Sequence, residues 1–149
     1  MGLVSSGVFP VHENTFQVKI DSTYTDIKGM ENFSPSFDNT IEEWFAMDNE
    51  GWSSALLTGK KWSLTLSGKR IIGDAGNDFL AGKLMAMGQD AYVDFKWTMP
   101  TGATIEQNMV ISVTNVGGGD TTNVAPLEVE LTSNGKPTFT ASPDVPSGE

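Results

Sequence analysis

Ser67–Lys83 reads SGKRIIGDAGNDFLAGK, and two architectures compete for it. As a glycine-rich loop feeding a helix it would mark a phosphate-binding α/β protein. As a strand end, a turn and a helix it would mark a β protein with one helical appendage. A Walker-type loop needs glycine, four residues, then Gly-Lys-Ser/Thr, so that backbone amides curl around the phosphate and the hydroxyl meets magnesium. Gly76 and Gly82 are instead separated by five residues, and Leu84 stands where the hydroxyl belongs. Lys83 falls inside the expected helix rather than at its amino end, and Asp74 and Asp78 would repel a phosphate. The β reading follows. A strand stops at Gly68, a polar Gly-Asp turn comes next, and a helix spans about 78–88 with Asp78 as its cap. Phe79, Leu80, Leu84 and Met87 share one face of that helix, and Gly88 ends it. Gly82 weakens it by about 1 kcal/mol relative to alanine, so it depends on tertiary packing.

Outward from this stretch, the period is that of strands. Phe16, Val18 and Ile20 alternate with Gln17 and Lys19 over Thr15–Asp21, and Trp62, Leu64 and Leu66 alternate with Ser63, Thr65 and Ser67. Val93, Phe95 and Trp97 alternate with Tyr92, Asp94 and Lys96 before Pro100. Ile105–Val116 reads as the longest strand, followed by a Gly-Gly-Gly-Asp turn at 117–120. Leu127, Val129 and Leu131 alternate with Glu128 and Glu130, and Asn134-Gly135 turns into a last short strand at Thr138–Thr140. Lys28–Asn39 reads as turn-rich, with Gly29 and Pro35. In TIEEWFAMDNEGW (40–52), Thr40 and Glu43 have capping-box spacing, yet the run is short and an extended segment is expected. The sum is a mainly β chain: an antiparallel β-sandwich or barrel with one flanking helix. Residues 1–14 read as a flexible arm, 15–140 as one domain, and 141–149 as a disordered tail.

Composition removes most chemistry. The 149 residues include no cysteine, which excludes disulfides, thiolate nucleophiles and cysteine-ligated metals. Nineteen acidic residues against nine basic ones give a net charge of −10, the wrong sign for gripping nucleic acid through its phosphates. The amino-terminal MGLVSSGVFP has neither a basic nor an apolar signal region, so synthesis in a cytosol is expected, and no run is apolar enough to span a membrane. Asp74, Asn77 and Asp78 lack the alternate spacing and distal glutamate of a calcium loop. His12, the only histidine, has no Gly-x-Ser-x-Gly elbow to serve, and the adjacent Glu42 and Glu43 would point to opposite faces of a strand. No catalytic, cofactor or metal residue is expected.

The tryptophans carry what remains. Trp62 and Trp97 lie on the apolar phase of strands and belong to a core. Trp44 and Trp52 flank the polar MDNEG stretch, where a large aromatic either folds back on its own core or anchors a partner. With Met47, Leu56, Leu57 and Phe9 they form the candidate intersubunit set.

Several motifs in order then become recognisable: FSPSFDNTIEEW (33–44), EGW (50–52), TGKKWSLTLSGKRIIGDAGND (58–78), FKWTMPTGATIE (95–106) and VGGGDTTNVAPLEVELTSNGKPTF (116–139). Together they cover most of the chain from Phe16 to Phe139, and the sequence resembles the major tail tube proteins of long-tailed, siphovirus-type phages and prophages of Gram-positive bacteria. The resemblance implies a non-enzymatic virion protein that self-assembles into hexameric rings, stacked into a hollow tail tube whose subunit sheets join around a lumen. It implies the tape measure protein, tail terminator and distal tail or baseplate proteins as partners, DNA passing through during ejection without specific binding, and no membrane. Assembly would take place in the host bacterial cytoplasm, on a tail without a contractile sheath. Some relatives carry a further immunoglobulin-like domain; this chain ends ten residues after Phe139, so none is expected. A lumen lined with carboxylates would minimise phosphate contacts, and two sets are candidates for it. One is the polar phase of the long strand, Glu106, Asn108, Ser112 and Thr114; the other is Glu128 with Glu130. Either could equally be an outer, solvent-facing surface. The alternatives are another tail β-protein, such as a terminator or distal tail component, and a monomeric ligand-binding β-sandwich with Trp44 and Trp52 as a stacking platform.

Overall fold

The computed structural model describes residues 6–141. Its strands are β1 (Thr15–Ile20), β2 (Thr23–Asp26), β3 (Met30–Phe45), β4 (Ser53–Lys69), β5 (Tyr92–Thr98), β6 (Thr104–Val116), β7 (Pro126–Ser133) and β8 (Thr138–Thr140), with one helix, α1 (Ala75–Ala81), between β4 and β5. All eight strands belong to one antiparallel sheet in the order β2-β1-β5-β6-β7-β4-β3, and β8 pairs with β6.

The period-2 pattern decides which face is buried. Phe16 and Val18, Val93, Phe95 and Trp97, Ile105, Met109 and Ile111, Leu127, Val129 and Leu131, and Trp62, Leu64 and Leu66 all turn to one side and form a single core. Each such side chain stabilises the fold by roughly 1.5–3 kcal/mol when fully buried. The sheet curls on itself: Phe33 of β3 meets Phe16 of β1 edge-on at 4.8 Å and Trp97 of β5 at 5.5 Å, although β3 and β1 lie near opposite ends of the strand order. Trp62 and Trp97 lie 6.2 Å apart in the same aromatic seam. A cleft of about 340 Å³ opens beside this seam, between Val11–Phe16 and the 26–33 segment.

Two polar side chains are buried among the described residues, and each serves as a tie. Trp62 Nε1 donates to Gln107 Oε1 (3.2 Å), while Gln107 Nε2 donates to the carbonyls of Asn108 and Asn134 (both 3.1 Å). Asn77, on α1, accepts from the Ile71 amide (3.1 Å) and Arg70 Nη1 (3.0 Å) and donates to the carbonyls of Lys28 (3.0 Å) and Lys69 (2.9 Å). The helix lies so close to the end of β2 that a Cβ at Gly76 would stand 2.2 Å from the Asp26 carbonyl oxygen.

Several expectations are corrected. The helix is Ala75–Ala81, not 78–88. Its cap is Asp74, whose carboxylate accepts from the Asn77 amide at 3.0 Å; Asp78 instead pairs with Arg70 (2.7 Å) and accepts from the Gly73 amide (3.1 Å). Gly82 ends the helix, tight turns through Ala86 follow, and Leu84 and Met87 are exposed rather than packed on the sheet. The 28–39 region is not a turn but the first half of β3, after a turn at Gly29 (φ +89°). Pro35 is tolerated there because β3 is the outermost strand. The strand containing Trp62 begins already at Ser53, so what separates it from β3 is only a short turn that includes Met47–Asn49. With 16 and 17 residues, β3 and β4 exceed the 13 of β6, which was expected to be longest. The extended reading of 40–45 holds. In the expected arm, Val11–Glu13 forms one 3-10 turn, and Trp97 Nε1 donates to Asn14 Oδ1 at 2.9 Å; Met1–Ser5 and residues 142–149 of the expected tail lie outside the described residues.

Candidate assembly interface

The β3–β4 hairpin is longer than the sheet that supports it. β7 pairs with β4 only from Ser63 to Lys69, so the part of β4 from Ser53 to Lys61 has β3 as its one ladder partner among the described residues. A free two-stranded ribbon is marginally stable in water at best. This one nevertheless carries large apolar side chains on both faces. The register puts Ile41, Phe45, Leu57 and Ala55 on the face continuous with the core, and Trp44 and Leu56 on the other. At the base, Phe37 stacks on Trp62 at 5.4 Å with the rings nearly parallel, which joins the ribbon to the core.

The expected set largely converges here. Trp44, Met47, Trp52, Leu56 and Leu57 all sit on the projecting half and are exposed, Trp52 by 75%. Of the two uses open to Trp44 and Trp52, neither ring folds back on the core: both are exposed. Phe9 is exposed too, but in the amino-terminal segment, apart from the hairpin. Phe37, Ile41 and Phe45 were missed. Their spacing by four is legible as one face of a strand once 30–45 is read as extended. A second exposed apolar group, Ile72, Leu84, Met85 and Met87, flanks α1.

All six lumen candidates lie on the sheet face opposite the core. Glu106, Asn108, Ser112 and Thr114 alternate with buried β6 residues, and Ser112 stands opposite Glu130 while Thr114 Oγ1 donates to the Glu128 carbonyl. The two candidate sets are therefore one surface. Its β4 rows are Ser63, Thr65 and Ser67, short hydroxyls throughout. Cations cluster at one corner, where Lys19 and Lys96 lie over the Tyr24 ring at 5.7 and 5.5 Å. Burial, with the Glu106 carboxylate beside it, pushes the Tyr24 hydroxyl up to about 12. At the helix end, the hydrogen bond from Arg70 holds the Asp78 carboxyl below the ordinary carboxylate value.

No family model matches the chain, and no curated protein does. Solved structures do. A chain from the tail of an empty gene transfer agent particle, refined with C6 symmetry, superposes with a TM-score of 0.71 at 19% identity, over 90% of this chain and 100% of that one. A chain from the native gene transfer agent virion gives 0.67 at 19% identity, with the same coverages. A chain from the PVC sheath-tube complex of an extracellular contractile injection system, in its extended state, gives 0.59 at 16% identity over 90% and 92%. At such identities the likeness is one of architecture, and it makes this eight-stranded sheet with its single helix a tail-tube-like fold.

Proposed function

We propose that this chain is a non-enzymatic structural subunit of a virion tail tube, assembling into hexameric rings that stack into a hollow conduit for DNA. The observation that carries the reading is the projecting β3–β4 ribbon, whose exposed Ile41, Phe45, Trp44 and Leu56 require a cover that the described residues of the chain do not provide. A tail-tube-like fold supports it, as does the C6 symmetry of the gene transfer agent tail. The cover is then another copy. Repeating a subunit of charge −10 makes the assembly strongly negative, but screening over about 8 Å at physiological salt confines repulsion to near neighbours. Local apolar burial can therefore exceed it.

In this reading the hydroxyl- and carboxylate-bearing face with Glu106, Ser112, Glu128 and Glu130 turns to the lumen, where it offers phosphates little to bind. A tape measure protein would occupy the lumen before DNA does, and terminator and baseplate proteins would close the ends. The sequence resemblance favours an unsheathed, siphovirus-type tail assembled in a bacterial host's cytoplasm. Electron microscopy of concentrated purified protein tests the reading: uniform hollow tubes are expected, isolated rings would favour a terminator-like role, and small monodisperse particles at every concentration would overturn it.

A further inference from the structure

Asn134 and Gly135 turn the chain between β7 and β8, exposed to solvent yet tied to the strand beneath them. The Asn134 amide donates to the Asn108 carbonyl at 3.0 Å, and buried Gln107 donates through Nε2 to the carbonyls of Asn134 (3.1 Å) and Gly135 (3.3 Å). The Asn134 side chain begins a relay. Its Nδ2 donates to Asn108 Oδ1 (2.8 Å), and Asn108 Nδ2 donates in turn to Asp94 Oδ1 (3.0 Å). One group is left out: the Gly135 N–H has no hydrogen-bond partner among the described residues, and a Cβ built at Gly135 would meet nothing within 4 Å. Of the nine asparagines, Asn134 alone precedes a glycine, so only here does no side chain shield the amide nitrogen that follows.

We propose that Asn134 is a site of spontaneous deamidation, a reaction whose only co-reactant is water. The Gly135 nitrogen gives its proton to solvent and bonds to Asn134 Cγ. The Cγ–Nδ2 bond breaks, and Nδ2 leaves as ammonia with a proton taken back from solvent. Water then opens the cyclic imide at either carbonyl, to give aspartate or isoaspartate. The attacking nitrogen is unbonded and open to water. The charge that develops on it is shared with the Asn134 carbonyl oxygen, where the Gln107 amide already donates and so stabilises it. Lys136, the next residue, brings a cation to the same turn. The relay makes the product unlike the parent. Asn134 donates to Asn108, whereas a carboxylate only accepts, so it faces the Asn108 oxygen; if Asn108 turns its amide to donate, that oxygen faces Asp94 instead. Isoaspartate also lengthens the backbone and displaces the two carbonyls that hold Gln107 and, through it, Trp62. Each copy gains one negative charge on the sheet face opposite the core. Only the consequence for a tube, a lumen that grows more acidic with age, rests on the proposed function.

Peptide mapping by mass spectrometry, after storage of the purified chain in mildly alkaline buffer, reads the conversion at each asparagine, and isoaspartyl methyltransferase labels the isoaspartate product. Conversion at Asn134 at least tenfold faster than at any other asparagine is expected, and Asn134→Ser should abolish the fast phase of ammonia release. A free peptide of residues 130–138 serves as the clock. If the peptide has converted fully while Asn134 of the folded chain is intact, or if all asparagines convert at equal rates, the inference is overturned. Asn134→Asp measures the consequence: a lower urea midpoint for the dispersed protein is expected, and an unchanged midpoint would refute the role given to the relay. Neither readout requires assembly, so its failure is distinguishable from failure of the tube reading.

Discussion

Replacing Asn77 by alanine should be among the most damaging single changes to the fold. The side chain is fully buried and satisfies three backbone groups from two segments: the Ile71 amide and the carbonyls of Lys28 and Lys69. Alanine leaves all three without that partner in a site closed to bulk water. Each orphaned group costs about 1 kcal/mol at the low end of the range for buried polar atoms, so about 3 kcal/mol is expected in total. For a chain of 149 residues this corresponds to roughly 6–12 °C in Tm. Asn77→Asp preserves the shape but replaces the two donated hydrogen bonds with an oxygen facing the Lys28 and Lys69 carbonyls, and it should be at least as harmful despite Arg70 nearby. Urea denaturation followed by circular dichroism on the dispersed protein measures both. A loss below about 1 kcal/mol for Asn77→Ala would refute the claim that this residue ties α1 to the β2–β3 and β4 segments.

Three further outcomes follow. Gly76→Ala forces a Cβ to within 2.2 Å of the Asp26 carbonyl oxygen and should destabilise the fold by about 2 kcal/mol or more, read as a lower urea midpoint. In Tyr92→Phe, which leaves Tyr24 as the sole tyrosine, absorbance titration should give a midpoint near pH 12; because the folded value is raised, the stabilisation is complete below about pH 10 and fades between 10 and 12, and a midpoint at 10 would contradict the packing around Glu106. Trp52→Ala should change monomer stability by no more than about 0.5 kcal/mol, since the ring is 75% exposed, yet prevent tube formation in electron micrographs; tubes from this variant would remove Trp52 from the interface.

The sequence was most legible where one side of a strand is wet. β1, β5, β6 and β7 alternate between core and solvent, and their apolar phases mark the observed core. The projecting hairpin hides this signal because it has no core on either side: Phe37, Ile41 and Phe45 on one face compete with Trp44 and Leu56 on the other, and the alternation blurs. Pro35 and Gly29 then argue for turns, and only the position of β3 at the sheet edge reconciles proline with a strand. Helix α1 was found but displaced, because Asp74 and Asp78 both have a cap's chemistry and only the pairing of Asp78 with Arg70 decides which carboxylate is free to cap. The two sets of acidic and hydroxyl residues on β6 and β7 read as separate alternatives in sequence, because their union into one surface depends on strand order, which no local pattern contains.

The seam between β1 and β3 has a mechanical consequence. Neighbouring strands of this sheet are joined by ladders of directional bonds, whereas here, among the described residues, β1 and β3 meet through Phe16 and Phe33, with Trp97 of β5 beside them. Aromatic faces and edges slide over fractions of an ångström at little cost, while a hydrogen-bond ladder shifts only by breaking register. The subunit's curl is thus compliant along one line and stiff along all others. A wall built from such units would flex by many small changes of curl at these hinges, with every interstrand bond kept.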